Sequence, residues 1–123
     1  MAIMKTRDFF EQVNQAFLDN DTSFIKENVT EDVVWTMAGE GVIRGKTAFV
    51  EFMEKMGMGD DRDGTLTIDN IITEGPQTAV IGKMTGTMEG TMKTYLYCDI
   101  YLLDEQQNGK IKELTSFVTE MKE

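Results

Sequence analysis

Apolar residues recur along this chain with two different periods, and the change falls near residue 64. In the first half Phe9, Phe10, Val13, Ala16 and Phe17 occupy one helical face, which predicts an amphipathic helix capped by Thr6 with Asp8 in its first turn. Asp19-Asn20-Asp21 interrupts the pattern, and Asp21 stands where it would cap a short second helix carrying Phe24 and Ile25. Val33-Val34-Trp35-Thr36-Met37 has the composition of a strand, and Ala38-Gly39-Glu40-Gly41 turns it back through Ile43 as a hairpin. After Gly45, helical spacing returns with Ala48, Phe49, Phe52, Met53 and Met56, and Gly57 supplies a stop before a polar loop to Gly64.

Beyond that loop the period becomes two. The runs Thr65 to Thr73, Thr78 to Met88, Thr91 to Leu103 and Lys110 to Met121 are rich in β-formers, with breaks at Gly75-Pro76 and Gln107-Asn108-Gly109 that suit hairpins. Helices first and long strands afterwards predict an α+β fold, with three helices packed on one face of a curved, mostly antiparallel sheet. Alternation puts Val80, Gly82, Met84, Gly86 and Met88 on one side of the second long strand. On the third, Tyr95, Tyr97, Asp99 and Tyr101 share a side, opposite Leu96, Cys98, Ile100 and Leu102. Gly82 and Gly86 are expected to leave space above the sheet and permit a bend.

Composition narrows the chemistry. The chain has 123 residues, the length of one domain (1–123), and carries 12 Lys+Arg against 22 Asp+Glu, a net charge of −10. That charge, with scattered cations, argues against nucleic acid and anionic membranes as partners. No histidine is present, which excludes His-based triads and His-ligated metals, so proton transfer falls to carboxylates, tyrosine, lysine, the thiol or water. Cys98 is the only cysteine and has no disulfide partner; among Leu96 and Ile100 it reads as an apolar filler. An N-terminus without an apolar core, and no long apolar run, lead us to expect a soluble, cytoplasmic protein without a leader. The sequons at Asn20 and Asn28 read as chance matches in that setting.

Two familiar loops fail on spacing. Gly45-Lys46-Thr47 would end a phosphate-binding loop only with glycine at 40, where Glu40 stands. Asp60-Asp61-Arg62-Asp63-Gly64 has the composition of a calcium loop, but counting from Asp61 puts Leu66 where glycine is required. We therefore expect neither metal nor cofactor. Asp99 is the informative residue, because a mid-strand carboxylate between tyrosines lies either on a solvated or intersubunit face or in a cavity where burial raises its pKa.

The order of elements, together with Thr30-Glu31-Asp32-Val33-Val34-Trp35, Gly45-Lys46-Thr47-Ala48-Phe49, Gly86-Thr87-Met88-Glu89-Gly90 and Gly109-Lys110-Ile111, resembles the nuclear transport factor 2-like superfamily. Within it the likeness is to the SnoaL-like polyketide cyclases and the ketosteroid isomerase group, and it runs from about Thr6 to Met121. The resemblance implies a conical fold, a bent sheet wrapped around the helices with an apolar pocket at the open end, and homodimers through the outer sheet face. It places the isomerase's oxyanion-hole aspartate on Asp99, a carboxylic acid held neutral by an apolar site so that it donates a hydrogen bond. The same register turns Tyr95, Tyr97 and Tyr101 toward the pocket, with Leu114, Ser116, Val118 and Glu120 on the last strand. Other family positions are changed: Val13 stands for the helix-one tyrosine, Met37 for the general base, and Met88 for the cyclase histidine, while the cyclases' late acidic residue falls on or beside Thr119, next to Glu120. These changes make the pocket more apolar.

Three readings follow. One is a cofactor-independent isomerase, cyclase or hydratase acting on a small apolar carbonyl compound, with Asp99 as acid or base and Tyr97 or Tyr101 as a hydrogen-bonding partner of a developing oxyanion. Another is a dimer that holds a small apolar molecule against Trp35, Met37, Met84, Met88 and Val118 without chemistry. The third is a protein-interaction module that uses the outer sheet face.

Overall fold

The computed structural model describes residues 7–56, 64–88 and 90–122. Thr6, Gly57 and the acidic loop through Asp63 lie outside the described residues, and so do the cap and stop expected there. Helix α1 spans Arg7–Asp19 and turns Phe10, Val13, Asn14 and Ala16 into the core. Its neighbour α2, Thr22–Asn28, starts as expected at Asp21, whose carboxylate accepts a hydrogen bond from the Phe24 amide at 3.2 Å. Strand β1, Val29–Met37, begins four residues earlier than its composition suggested. The reason is tertiary: Val29 and Thr30 are buried, and Val29 pairs with Ile111 before an irregularity resets the register at Val34.

Strand β2, Gly41–Arg44, closes the expected hairpin, and α3, Lys46–Met56, follows it. Four strands complete the chain: β3 (Thr65–Glu74), β4 (Gln77–Met88), β5 (Thr91–Asp104) and β6 (Lys110–Glu120). A short 3-10 turn at Glu105–Gln107 leads into the last of them, with Asn108 in the left-handed conformation. The sheet runs β2-β1-β6-β5-β4-β3, antiparallel except where β1 lies parallel to β6. That pairing makes the sheet mixed and continuous, with α1 packed near its β3 edge and α3 against β1.

Two added residues set which side chains face inward. In β3 the register slips at Asp69, so that Leu66, Ile68 and Ile71 all pack against the core despite their uneven spacing. In β6 Lys112 is the extra residue, which lets Ile111 and Leu114 both be buried. Gly82 departs from expectation: the space above it is taken, since a β-carbon there would collide with the Thr67 carbonyl oxygen and sit 2.8 Å from the Tyr97 hydroxyl. Glycine is needed at this point because the backbone of β3 crosses close above it.

Candidate functional site

The concave face of the sheet is filled at one end and open at the other. At the filled end Phe10 packs on Tyr101 with ring centroids 5.1 Å apart, over Ile111 and Leu103, all essentially inaccessible. Toward the other end the same sheet face borders a cavity of about 480 Å³. Its deeper walls are Phe17 of α1, Trp35 and Met37 of β1, Phe52 of α3, and Leu66 and Met84 of β3 and β4. Strands β5 and β6 add Tyr95, Tyr97 and Asp99, and Leu114, Ser116, Val118 and Glu120. Ala38, Gly39 and Glu40, from the turn after β1, lie exposed at the rim. The volume is that of an ordinary small-molecule site, and the lining is mostly apolar.

Asp99 is mid-strand in β5, opposite Ser116 on β6 and Val80 on β4. Loss of water around its carboxyl pushes its pKa up to about 6 from the usual 3.8, and a hydrogen bond from the Ser116 hydroxyl holds back part of that rise. Ser116 is itself fixed from the other side, because Trp35 Nε1 donates to its oxygen at 2.9 Å. Trp35 packs on Phe49 at a 30° tilt, with centroids 4.6 Å apart, and edge-on to Phe52 at 5.4 Å. A chain of hydrogen bonds thus runs from the indole through the serine to the carboxylate.

Tyr97 lines the cavity with its ring, but its hydroxyl points away from any ligand. It donates to the Thr67 carbonyl at 2.7 Å and accepts from Asn14 Nδ2 at 2.9 Å. Burial first, and then the nearby carboxylates Asp99 and Asp69, push its pKa up to about 12, although the Asn14 bond and Arg7 act the other way. A proton already given to a backbone carbonyl is not offered to a substrate oxygen. Tyr101 departs further from the expected role: it is 1% exposed, sits off the cavity lining, and has a hydroxyl with no hydrogen-bond partner among the described residues. Phe10 occupies the space above it, which is why a tyrosine on the cavity face of the strand never reaches the cavity.

Of the other expected residues, Trp35, Met37, Met84, Leu114, Ser116, Val118 and Glu120 all border the cavity. Met88 is in β4, and its side chain is outside the described set. Val13, the counterpart of a family tyrosine, is buried in the core. Sequence reasoning treated Phe17 and Phe52 as core residues, and it missed Leu66, Glu40 and the role of Asn14. Asn14 carried a signal, for it interrupts the apolar face four residues after Phe10, where a buried amide requires a partner. Tyr95 borders the cavity as Tyr97 does, but its hydroxyl makes no hydrogen bond among the described residues. Cys98 faces the opposite side; burial, followed by the Asp99 charge, raises its pKa, as expected of a filler thiol.

Comparison with known proteins gives the fold its relatives. An NTF2-like protein of unknown function from Cytophaga hutchinsonii is 27% identical, covers 94% of this chain and 100% of its own, and superposes with a TM-score of 0.75. A protein from Shewanella putrefaciens assigned as a SnoaL-like polyketide cyclase is 12% identical, covering 91% of this chain and 88% of its own, with a TM-score of 0.77. An LEH-like epoxide hydrolase from M. tuberculosis is 15% identical, covering 89% and 79%, with a TM-score of 0.72. None of the curated proteins compared with the chain matches it. Among the described residues no helix is long and apolar enough to cross a membrane. The profile of the SnoaL-like domain matches residues 7–114, and on that match, within the NTF2-like superfamily, the chain belongs to the SnoaL-like domain family.

Proposed function

We propose that the cavity binds a small hydrophobic molecule and that Asp99 gives or takes a proton there, as in a cofactor-independent isomerase, cyclase or hydratase. The observation that carries this reading is a desolvated carboxyl, with a pKa near 6, set into a mostly apolar cavity. At neutral pH most Asp99 is ionised and able to act as a base, while enough remains protonated to return the proton. Tyr95, on the same strand face about 13 Å toward the rim, has a hydroxyl without a hydrogen-bond partner among the described residues, placed to assist a ligand's far end. Relatives of the same fold are assigned as a polyketide cyclase and an epoxide hydrolase, and a cavity of this size suits organic substrates of that kind.

Deuterium exchange at the carbon next to the carbonyl of small hydrophobic ketones, followed by proton NMR, tests this reading. The native protein is expected to catalyse exchange, and Asp99→Asn to slow it by about a hundredfold or more while binding is retained. Binding without exchange in either protein would favour a site that holds its ligand without chemistry. We also propose that two copies pair through the outer sheet face. There Phe117, 47% exposed, ends the cross-strand row of Ile81, Cys98 and Phe117, and Leu96, 39% exposed, lies two residues before Cys98 on the same face. Sedimentation of the native protein and of Phe117→Glu checks the pairing, a dimer being expected for the first and a monomer for the second.

A further inference from the structure

Every strong hydrogen-bond donor at the deep end of the cavity is already committed. The Tyr97 hydroxyl is given to Thr67, the Trp35 indole to Ser116, and the Ser116 hydroxyl to Asp99. A ligand entering there at neutral pH meets a mostly ionised carboxylate and aromatic faces, and no uncommitted donor besides the minor protonated form of Asp99. The charged residues around the cavity have one sign: Asp99 is deep, Glu40 and Glu120 are at the rim, and no lysine or arginine is among the described lining residues. Lys93, two residues before Tyr95 on the same face of β5, pairs with Glu120 at 3.7 Å beyond the rim and is not among the lining residues. The whole chain carries −10, so the field outside the cavity draws cations and repels anions.

Aromatic rings complete the pattern. Phe17, Trp35, Phe52 and Tyr95 lie around the space that Asp99 faces, and ring faces attract a positive charge as well as hydrocarbon. A neutral apolar ligand would leave the ionised carboxylate unpaired in a desolvated site, whereas a ligand carrying N–H groups and a positive charge supplies both things the site lacks.

We propose that the molecule this cavity takes is a small hydrophobic amine, its ammonium group paired with Asp99 and its aryl or alkyl body packed among Phe17, Trp35, Phe52 and Met84. This rests on the reading of the cavity as a small-molecule site and specifies what meets the carboxyl: a protonated nitrogen, whose N–H groups donate to the Asp99 carboxylate. Trp35 is the only tryptophan of the chain and borders the cavity, so its fluorescence reports occupancy directly.

Three probes of matched shape decide the matter at pH 7.5: 2-phenylethylamine, 2-phenylethanol and phenylacetate, titrated against Trp35 emission and by calorimetry. The amine is expected to bind at least tenfold more tightly than the alcohol, with no detectable binding of phenylacetate. Asp99→Asn should weaken the amine at least tenfold and leave the alcohol within twofold. An alcohol that binds as well as the amine, or an amine indifferent to Asp99→Asn, overturns the amine assignment while the small-molecule reading stands. Failure of all three probes to bind at millimolar concentration overturns both.

Discussion

The two ends of the concave face are built from alternate residues of the same strands, yet one end is solid and the other hollow. Tyr101 and Asp99 are two residues apart in β5 and point the same way; Tyr101 is sealed under Phe10, while Asp99 borders open space. The difference comes from the helices. Near the β3 edge α1 presses Phe10 and Val13 into the sheet, whereas toward the rim its next inward ring, Phe17, stacks on Trp35 at 5.6 Å and on Phe49 at 6.2 Å instead of descending to β5. Aromatic contacts among the helices and β1 thus hold a roof over a space that no side chain fills. A functional cavity here is a consequence of which partner each phenylalanine finds, not of a change in the strands.

The largest expected effect comes from removing one ring at each end. Phe10→Ala takes a fully buried side chain out of the solid end and should destabilise the protein by about 3–5 kcal/mol. Phe52→Ala removes a half-buried ring that already borders empty space, and it should cost about 1–2 kcal/mol while altering ligand affinity. Urea unfolding of both variants measures the contrast. Equal losses would mean that the hollow end is packed in solution as tightly as the solid one.

Next in size is the charge at the boundary. The folded-state pKa of Asp99, near 6, lies above its unfolded value of 3.8, so between those pH values the folded protein holds a proton that the unfolded chain has released. Stability from this group is therefore greatest below about pH 4, declines as pH rises toward 6, and is lower by about 2–3 kcal/mol above it. Asp99→Asn removes the penalty. The variant should be more stable than the native protein by about 2 kcal/mol at pH 8, and the difference should shrink toward zero at pH 4, as read from paired denaturation curves. A difference independent of pH would place Asp99 in contact with water and close the case for a desolvated carboxyl.

Much of the architecture was legible because it depends on local periodicity. The amphipathic stripe of α1, the Asp21 cap, the β1–β2 hairpin and the four long hairpin-linked strands all follow from spacing and turn residues. What spacing does not carry is pairing across the chain. The early start of β1 at Val29, its parallel alignment with β6, and the extra residues Asp69 and Lys112 depend on partners far away in sequence. The site shows the same division. Period two put Tyr97, Asp99 and Tyr101 on one face, but only the fold shows that Asn14 and Thr67 occupy the first hydroxyl and Phe10 shields the last.

The smallest expected effect is also the finest test of the boundary between the two ends. Tyr101 carries a hydroxyl into the solid end, where it finds no protein partner among the described residues; burial, then the Asp99 and Tyr97 charges, push its pKa well above the ordinary value. A buried hydroxyl without a partner is a loss relative to water, so Tyr101→Phe should leave stability unchanged or raise it by about 0.5–1 kcal/mol. Because the pKa of Asp99 is set by its own desolvation and by Ser116, the substitution should leave that titration in place, whereas Ser116→Ala should move it upward. Carboxylate NMR on the two variants separates these cases. If Tyr101→Phe destabilises the fold by more than about 1 kcal/mol and shifts Asp99 as well, the hydroxyl is bonded toward the carboxyl in solution. The solid end would then reach into the chemistry of the hollow one, and Tyr101 would join Ser116 among the residues that set the Asp99 proton affinity.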